Sequence, residues 1–290
     1  MKLRLTETGQ KIIQRKIKLE SILLKKLSIQ ISLSGLSFCI LNGAERKVVY
    51  LKRFDFKSKL TPEAVLEHLK SAIAEESSLN ETFDSVLVLF QNELSNLVPE
   101  KFFNEAHSAD YLKFSSKIMK TDFISHDRIA ANKSVNVFVP FVNINNYIFE
   151  VYGAFEYKHA STILIEHALK NEVTVEEDHM YLNVAPFHYE MVVVKKGQLE
   201  LYNSFEYTTP EDFIYYILFT VEQLKLNPES LKIKLSGTIE KDDPLYKLLY
   251  TYIRCVAFEL PSEKFTFDRL ELQVSKHQYT LILNSFNPCE

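Results

Sequence analysis

Arg53-Phe54-Asp55-Phe56 is followed by Thr61-Pro62-Glu63, an apolar helix pattern, Leu79-Asn80 and the run Val86-Leu87-Val88-Leu89. The same succession returns as Ser204-Phe205-Glu206-Tyr207, Thr209-Pro210-Glu211, a second apolar helix, Leu226-Asn227 and a run from Leu231 to Leu235. The spacings nearly match: sixteen positions separate Glu63 from Leu79, and fifteen separate Glu211 from Leu226. Recurrence of this kind marks one supersecondary unit used twice. Each Thr-Pro-Glu is a helix start with a mechanism. Threonine caps free N–H groups, proline suits the first helical position, and glutamate favours the positive end of the helix dipole.

Upstream of each helix lies a run of strands. Leu27, Ile29, Ile31 and Leu33 alternate with polar residues, Ser34-Gly35 turns the chain, and Leu36, Phe38 and Ile40 continue the alternation. Asn42-Gly43 is a hairpin signal leading to a strand over Lys47 to Phe54. In the second copy Tyr181 to Ala185, Glu190 to Val194 and Gln198 to Phe205 form three strands, with Lys196-Gly197 at a turn. Each half therefore reads β-β-β-α-β. The first helix carries one apolar stripe, Val65, Leu66, Leu69, Ala72 and Ile73, as a helix covering one sheet face should. The second, Phe213 to Phe219 with Val221, is apolar all round and is expected to be buried on both sides where the halves meet.

Between the copies, Glu100 to Phe114 reads as helical, Phe123 to Phe141 as two strands, and Asn143 to Tyr152 and Ser161 to Lys170 as helices. A helix at Pro244 to Ile253, a strand at Val256 to Leu260 and a final strand near Tyr279 to Leu283 complete the chain. Glu176, Glu177 and Asp178 mark a boundary. The expected division is a basic arm over 1–26, a first half over 27–175 and a second half over 176–290. The arm carries +6 and the remainder −10. Its apolar residues, such as Ile12, Ile13 and Ile17, form no single helical stripe. A solvated terminus is the plain reading, and contact with an acidic lipid surface or an acidic partner the functional one.

Bulk composition excludes several classes. The 290 residues include six glycines, and the closest pair, Gly35 and Gly43, stands eight positions apart. Phosphate loops, dinucleotide fingerprints and G-x-S-x-G elbows need glycines two to five positions apart, so none can be written here. A net charge of −4 lacks the basic excess that holds a nucleic acid. Cys39, Cys255 and Cys289 are dispersed, with no zinc spacing, which suits a reducing, cytoplasmic setting. The longest apolar stretches fall well short of the roughly 20 residues of a membrane span.

The repeated β-β-β-α-β unit with extra elements after each copy resembles the actin-like ATPase superfamily, whose two ribonuclease-H-like halves close on a nucleotide. The bacterial actin-like proteins of cell division and pilus assembly are of this kind. More specifically, residues 27 to 285 resemble the bacterial domain of unknown function 3822 family, found mainly in Bacteroidetes, which has no assigned activity. The resemblance implies an α/β chain with a duplicated ribonuclease-H-like fold, its mixed sheets packed against helices. In the superfamily the first strand of each half ends in Asp-x-Gly, which serves metal-bound water and phosphate oxygens. Here Gln30 and Asn183 stand at the acidic positions, and Ser32 and Ala185 at the glycine positions. A Gly-Gly adenosine loop corresponds to Ser236-Gly237.

An amide cannot supply the negative charge that a magnesium-nucleotide site uses. The resemblance therefore implies a non-catalytic, cytoplasmic scaffold that binds a protein partner or itself, with no cofactor. The alternative is a nucleotide-binding or ATPase protein of the actin-like type with an atypical site for ATP and magnesium; residual nucleotide binding without hydrolysis would go through Ser236, Gly237 and Thr238. Other chemistry is sparse. His179 and His188 with the acidic run could hold a metal only if the loop folded back, His126-Asp127 lacks a nucleophile, and neighbours Glu166 and His167 point about 100° apart on a helix. Cys39 falls in an apolar strand and reads as core.

Overall fold

The alternating runs form strands that assemble into two mixed sheets of matching order. In the computed structural model, which describes residues 24–43, 45–114, 117–119, 122–172, 177–262, 264–267 and 275–286, the first hairpin pairs β1 (Lys25–Ser32) with β2 (Gly35–Asn42), and β2 with β3 (Lys47–Asp55). Helix α1 (Pro62–Glu75) then crosses over to β4 (Ser85–Gln91), which lies parallel to β1. An insertion follows: β5 (Ser95–Pro99), the short helix α2 (Ser108–Leu112), β6 (Ser125–Ile129), β7 (Ser134–Phe138) and α3 (Val142–Tyr152). β8 (Glu156–His159) completes the first sheet beside β4, and α4 (Ala160–Asn171) leads out of it.

The second half repeats the order with β9 (His179–Val184), β10 (His188–Lys195), β11 (Gln198–Glu206), α5 (Pro210–Gln223), β12 (Lys232–Gly237), α6 (Pro244–Tyr252) and β13 (Val256–Phe258). Its sheet runs β11-β10-β9-β12-β13, matching β3-β2-β1-β4-β8 in the first. The chain then returns to the first sheet, where β14 (Thr266–Phe267) pairs with Lys47 and Val48 at its edge. A final helix, α7 (Thr280–Asn284), packs near β1, β2 and β12.

Side-chain alternation places the layers. Leu27, Ile29 and Ile31 face outward under α1 and α3, sharing a core with Leu69, Ile73 and Ile148. Met180, Leu182 and Val184 do the same under α5 and α6 with Phe213, Ile217 and Leu249. The opposite faces of the two sheets look toward each other across α4 and α7, which share cores with Leu89, Tyr181 and Val192 and with Cys39 and Leu41. The order is helices, sheet, helices, sheet, helices.

Both helix starts form as read. Thr209 makes a full capping box with Asp212, whereas Thr61 accepts one long bond of 3.4 Å from the Ala64 N–H. Thr209→Ala is therefore expected to cost about 1 kcal/mol and Thr61→Ala less, measured by urea denaturation of each variant. The Lys196-Gly197 hairpin has both residues at positive φ, the type I′ pairing that strand twist favours.

Four expectations are corrected. Helix α5 is not buried all round: Phe213, Ile214, Ile217 and Val221 are covered, but Tyr215, Tyr216 and Phe219 are exposed. The helix enclosed between the halves is α4, nine of whose twelve residues are buried. Its polar Ser161, Thr162 and Glu166 disguise it in sequence. The final strand near Tyr279 to Leu283 is a 3-10 turn at Lys276–Tyr279 followed by α7. A short apolar run satisfies a buried strand and a buried helix alike. Glu100 to Phe114 is two 3-10 turns and the five-residue α2 rather than one helix. Strands β5 and β8 went unread, being short and half polar. Residues 1–23 of the basic arm, and Glu176 of the boundary, lie outside the described residues. Among the described residues no helix is long and apolar enough to cross a membrane.

Candidate functional site

The central strand of each sheet ends at the seam between the halves, which brings the two amides together through intermediaries. Gln30 lies on the inward face of β1, with Ser28 and Ser32, because the strand alternates. Its Nε2 donates to Gln91 Oε1 at 2.8 Å, where β4 ends beside β1. Gln91 Nε2 reaches across the seam and donates to Glu190 Oε2 of β10 at 2.6 Å. The same oxygen accepts from Asn183 Nδ2 at 2.7 Å, and Asn183 Oδ1 accepts from Ser236 Oγ at 3.1 Å. Strand register explains the second part: Asn183 sits opposite Glu190 on one side and Ser236 on the other. One chain of side-chain hydrogen bonds thus runs from the first sheet to the second.

The remaining sequence-derived positions are engaged locally. Ser32 Oγ donates to the Gly35 carbonyl and accepts from the Ser34 N–H, closing the first hairpin. Ala185 donates its N–H to His188 O, and its own carbonyl accepts the Tyr207 hydroxyl at 2.6 Å. Gly237 has φ +85, and a Cβ there would stand 2.0 Å from Val184 O. The next residue, Thr238, donates its N–H to that same carbonyl at 2.7 Å. The space enclosed by Gln30, Ser32, Arg53, Gln91, Asn183 and Gly237 is about 10 Å³, on the scale of one water molecule.

Glu190 is the one carboxylate in the chain of bonds, and it is almost fully buried. Burial pushes its pKa up to about 7, against the pull of hydrogen bonds from Asn183 and Gln91. Lys59 adds a bond across the seam at its rim, to Glu206 at 2.5 Å and Glu93 at 3.3 Å. Nearby, His159 is fully buried, so its imidazole is held neutral with a pKa lowered to about 4. Its ring bridges Ser161 Oγ at 2.7 Å and the Asn92 carbonyl at 3.1 Å, while Asp127 accepts from the His159 N–H and from Thr162 Oγ1. These bonds tie the start of α4 to β6 and β8.

Sequence reasoning missed Gln91 and Glu190. A signal existed: Glu190 interrupts the apolar run Tyr189 to Val194, and a lone charge in a buried strand calls for a partner. The other candidates separate. His179 lies opposite Val194 while His188 lies at the far end of the same strand pair, and His179 contacts Glu172 instead. His126 rests on Phe103 while Asp127 turns to His159. His167 meets Glu259 at 2.5 Å, whereas Glu166 faces Lys158. Cys39 is buried in the core.

Comparison with known proteins agrees with this architecture. A Bacteroides thetaiotaomicron VPI-5482 protein with an actin-like ATPase fold and unknown function superposes with a TM-score of 0.76 at 22% identity, covering 94% of this chain and 98% of that one. A chain of the PilM-PilN type IV pilus biogenesis complex superposes with a TM-score of 0.59 at 14% identity, covering 91% of this chain and 98% of that one. No curated protein matches the sequence. The fold is that of the actin-like ATPases. The profile of the family described as "Protein of unknown function (DUF3822)" matches residues 14–256, and the chain belongs to that family.

Proposed function

We propose that this protein is a non-catalytic, actin-like scaffold that works by binding a protein partner or a second copy of itself. The observation that carries the reading is the chain Gln30–Gln91–Glu190–Asn183–Ser236, which engages the two amides that the superfamily resemblance sets at the acidic positions of the phosphate site. The residues do not fit a magnesium nucleotide. Two amides replace the acids, and the one carboxylate is buried and committed to two amide donors. Gly237 serves backbone packing on Val184, so its lack of a side chain has a structural reason.

Surface chemistry supports a partner. Tyr215, Tyr216 and Phe219 of α5 and Tyr250 and Tyr252 of α6 are exposed, and exposed aromatic clusters are common at protein interfaces. The similarity to a protein solved in the PilM-PilN complex points the same way. The sequence's three dispersed cysteines, Cys39, Cys255 and Cys289, support a reducing, cytoplasmic setting.

Isothermal titration of the full chain with ATP and magnesium, paired with a phosphate-release assay, is expected to give no binding heat and no turnover. Saturable binding or steady phosphate release would overturn the scaffold reading.

A further inference from the structure

Two sheet edges border one groove. Strand β5 is an edge of the three-stranded sheet β5-β7-β6, and β11 is an edge of the five-stranded sheet. Between them lies a cavity of about 560 Å³ lined by Glu93 to Leu97 on one side and Tyr202 to Ser204 on the other, with Lys117 also on its wall. That is within the range of roughly 300–1,000 Å³ typical of ligand sites, whereas the neighbouring cavities measure about 20 and 10 Å³.

The ladders show which backbone groups face the groove. Val139 donates its N–H to the Leu94 carbonyl, so in this antiparallel register Asn96 and Val98 also bond to β7 while Ser95 and Leu97 turn their N–H and C=O groups away from it. Tyr207 donates to Phe187, so Phe205 and Asn203 bond to β10 while Tyr202 and Ser204 face outward. The outward Ser204 N–H is satisfied by the neighbouring Asn203 side chain, at 2.9 Å. A side chain therefore holds one position that a strand carbonyl would take. Leu97 and Tyr202 give the groove an apolar floor that continues the core around α4.

We propose that an extended segment of a partner protein docks in this groove as an added β-strand, bonding its backbone to Ser95 and Leu97 on one side and to Tyr202 and Ser204 on the other. Every second side chain of the segment is apolar and packs on Leu97 and Tyr202, and the intervening ones face solvent. The five residues of β5 span about 17 Å, enough for a segment of similar length. This inference rests on the scaffold reading and names the site and chemistry of its partner.

The test selects a display library of random peptides, each about ten residues long to exceed the groove, against the full chain. It then measures chosen peptides by titration and amide hydrogen exchange. Binding is expected to fall about tenfold or more when alternate peptide amides are N-methylated, and to change little at the intervening ones. Ser95→Pro, which removes an outward N–H at the first residue of an edge strand where proline is tolerated, is expected to weaken binding similarly. Bound peptide should protect the amides of Leu97 and Tyr202.

Failure to select any peptide, N-methylation effects without alternation, or protection confined to the aromatic face of α5 would overturn the groove proposal. That last outcome leaves the scaffold reading standing, since nucleotide titration tests it separately. Two further outcomes would also overturn it. Protection of these amides in the free chain at every dilution would mean that the chain covers its own edges, and protection rising with protein concentration would make the occupant a second copy.

Discussion

Replacing Gly237 with alanine is expected to destabilise the chain by at least about 4 kcal/mol, and by enough to prevent accumulation of folded protein at 37 °C. The added Cβ would stand 2.0 Å from Val184 O and 2.8 Å from Val184 N and C, all backbone atoms of the central strand β9. None can yield without disturbing the pairing of β9 with β12. The positive φ adds a penalty of roughly 1–2 kcal/mol for any residue with a side chain. Gly153 is the control. It has φ +74 and ψ −139, a region open mainly to glycine, but nothing within 4 Å of the added atom, so Gly153→Ala is expected to cost only the backbone strain of about 1–3 kcal/mol. Urea denaturation followed by circular dichroism compares the two. Equal stability losses would mean that the contact with Val184 carries no weight and that Gly237 has some other reason to lack a side chain.

Glu190→Gln is expected to gain on the parent protein by about 3 kcal/mol as the pH is raised from 4.5 to 8. In the folded chain burial keeps Glu190 protonated up to about pH 7, whereas in the unfolded chain it ionises near 4.5. Between those values the folded state holds the extra proton, so raising the pH favours unfolding. The stability due to the raised pKa is full below 4.5 and lost above 7. A shift of about 2.5 units at 1.36 kcal/mol per unit gives the magnitude. Glutamine has no proton to lose, and its carbonyl can still accept from Gln91 and Asn183. His159 and His188, both held neutral by burial with pKa values lowered to about 4, act in the opposite sense. Their contribution rises with pH from 4 to 6.5 and is common to both proteins, so it cancels in the difference. Denaturation midpoints across the pH series provide the check. A pH-independent difference would show that Glu190 titrates like an exposed carboxylate and that the seam is open to water.

Much of the fold was legible because its signals are local. The alternation of Leu27, Ile29 and Ile31, the Lys196-Gly197 turn and the two Thr-Pro-Glu caps each depend on neighbours within a few residues, and each formed as read. The misreadings share a different cause. Phe213 to Phe219 appeared buried on all sides because hydropathy counts aromatic side chains, not the layer that covers them. Tyr279 to Leu283 is apolar in both possible conformations, and what decides for helix is its packing between the two sheets against Cys39 and Leu41.

The candidate site divides along the same line. By itself the sequence determined that amides stand at the ends of both central strands, since Gln30 and Asn183 are read directly from their place in each repeat. It also determined that both side chains share a face with their i±2 neighbours, because a strand has a period of two. Only the tertiary structure decided what those amides do. Gln91 is 61 positions from Gln30, and Glu190 is 99 from Gln91, so no local pattern could pair them. The pairing follows from two sheets meeting face to face at the ends of their central strands. There a buried polar group must find a partner on the opposite sheet or lose its hydrogen bonds, and Glu190 supplies that partner for both halves.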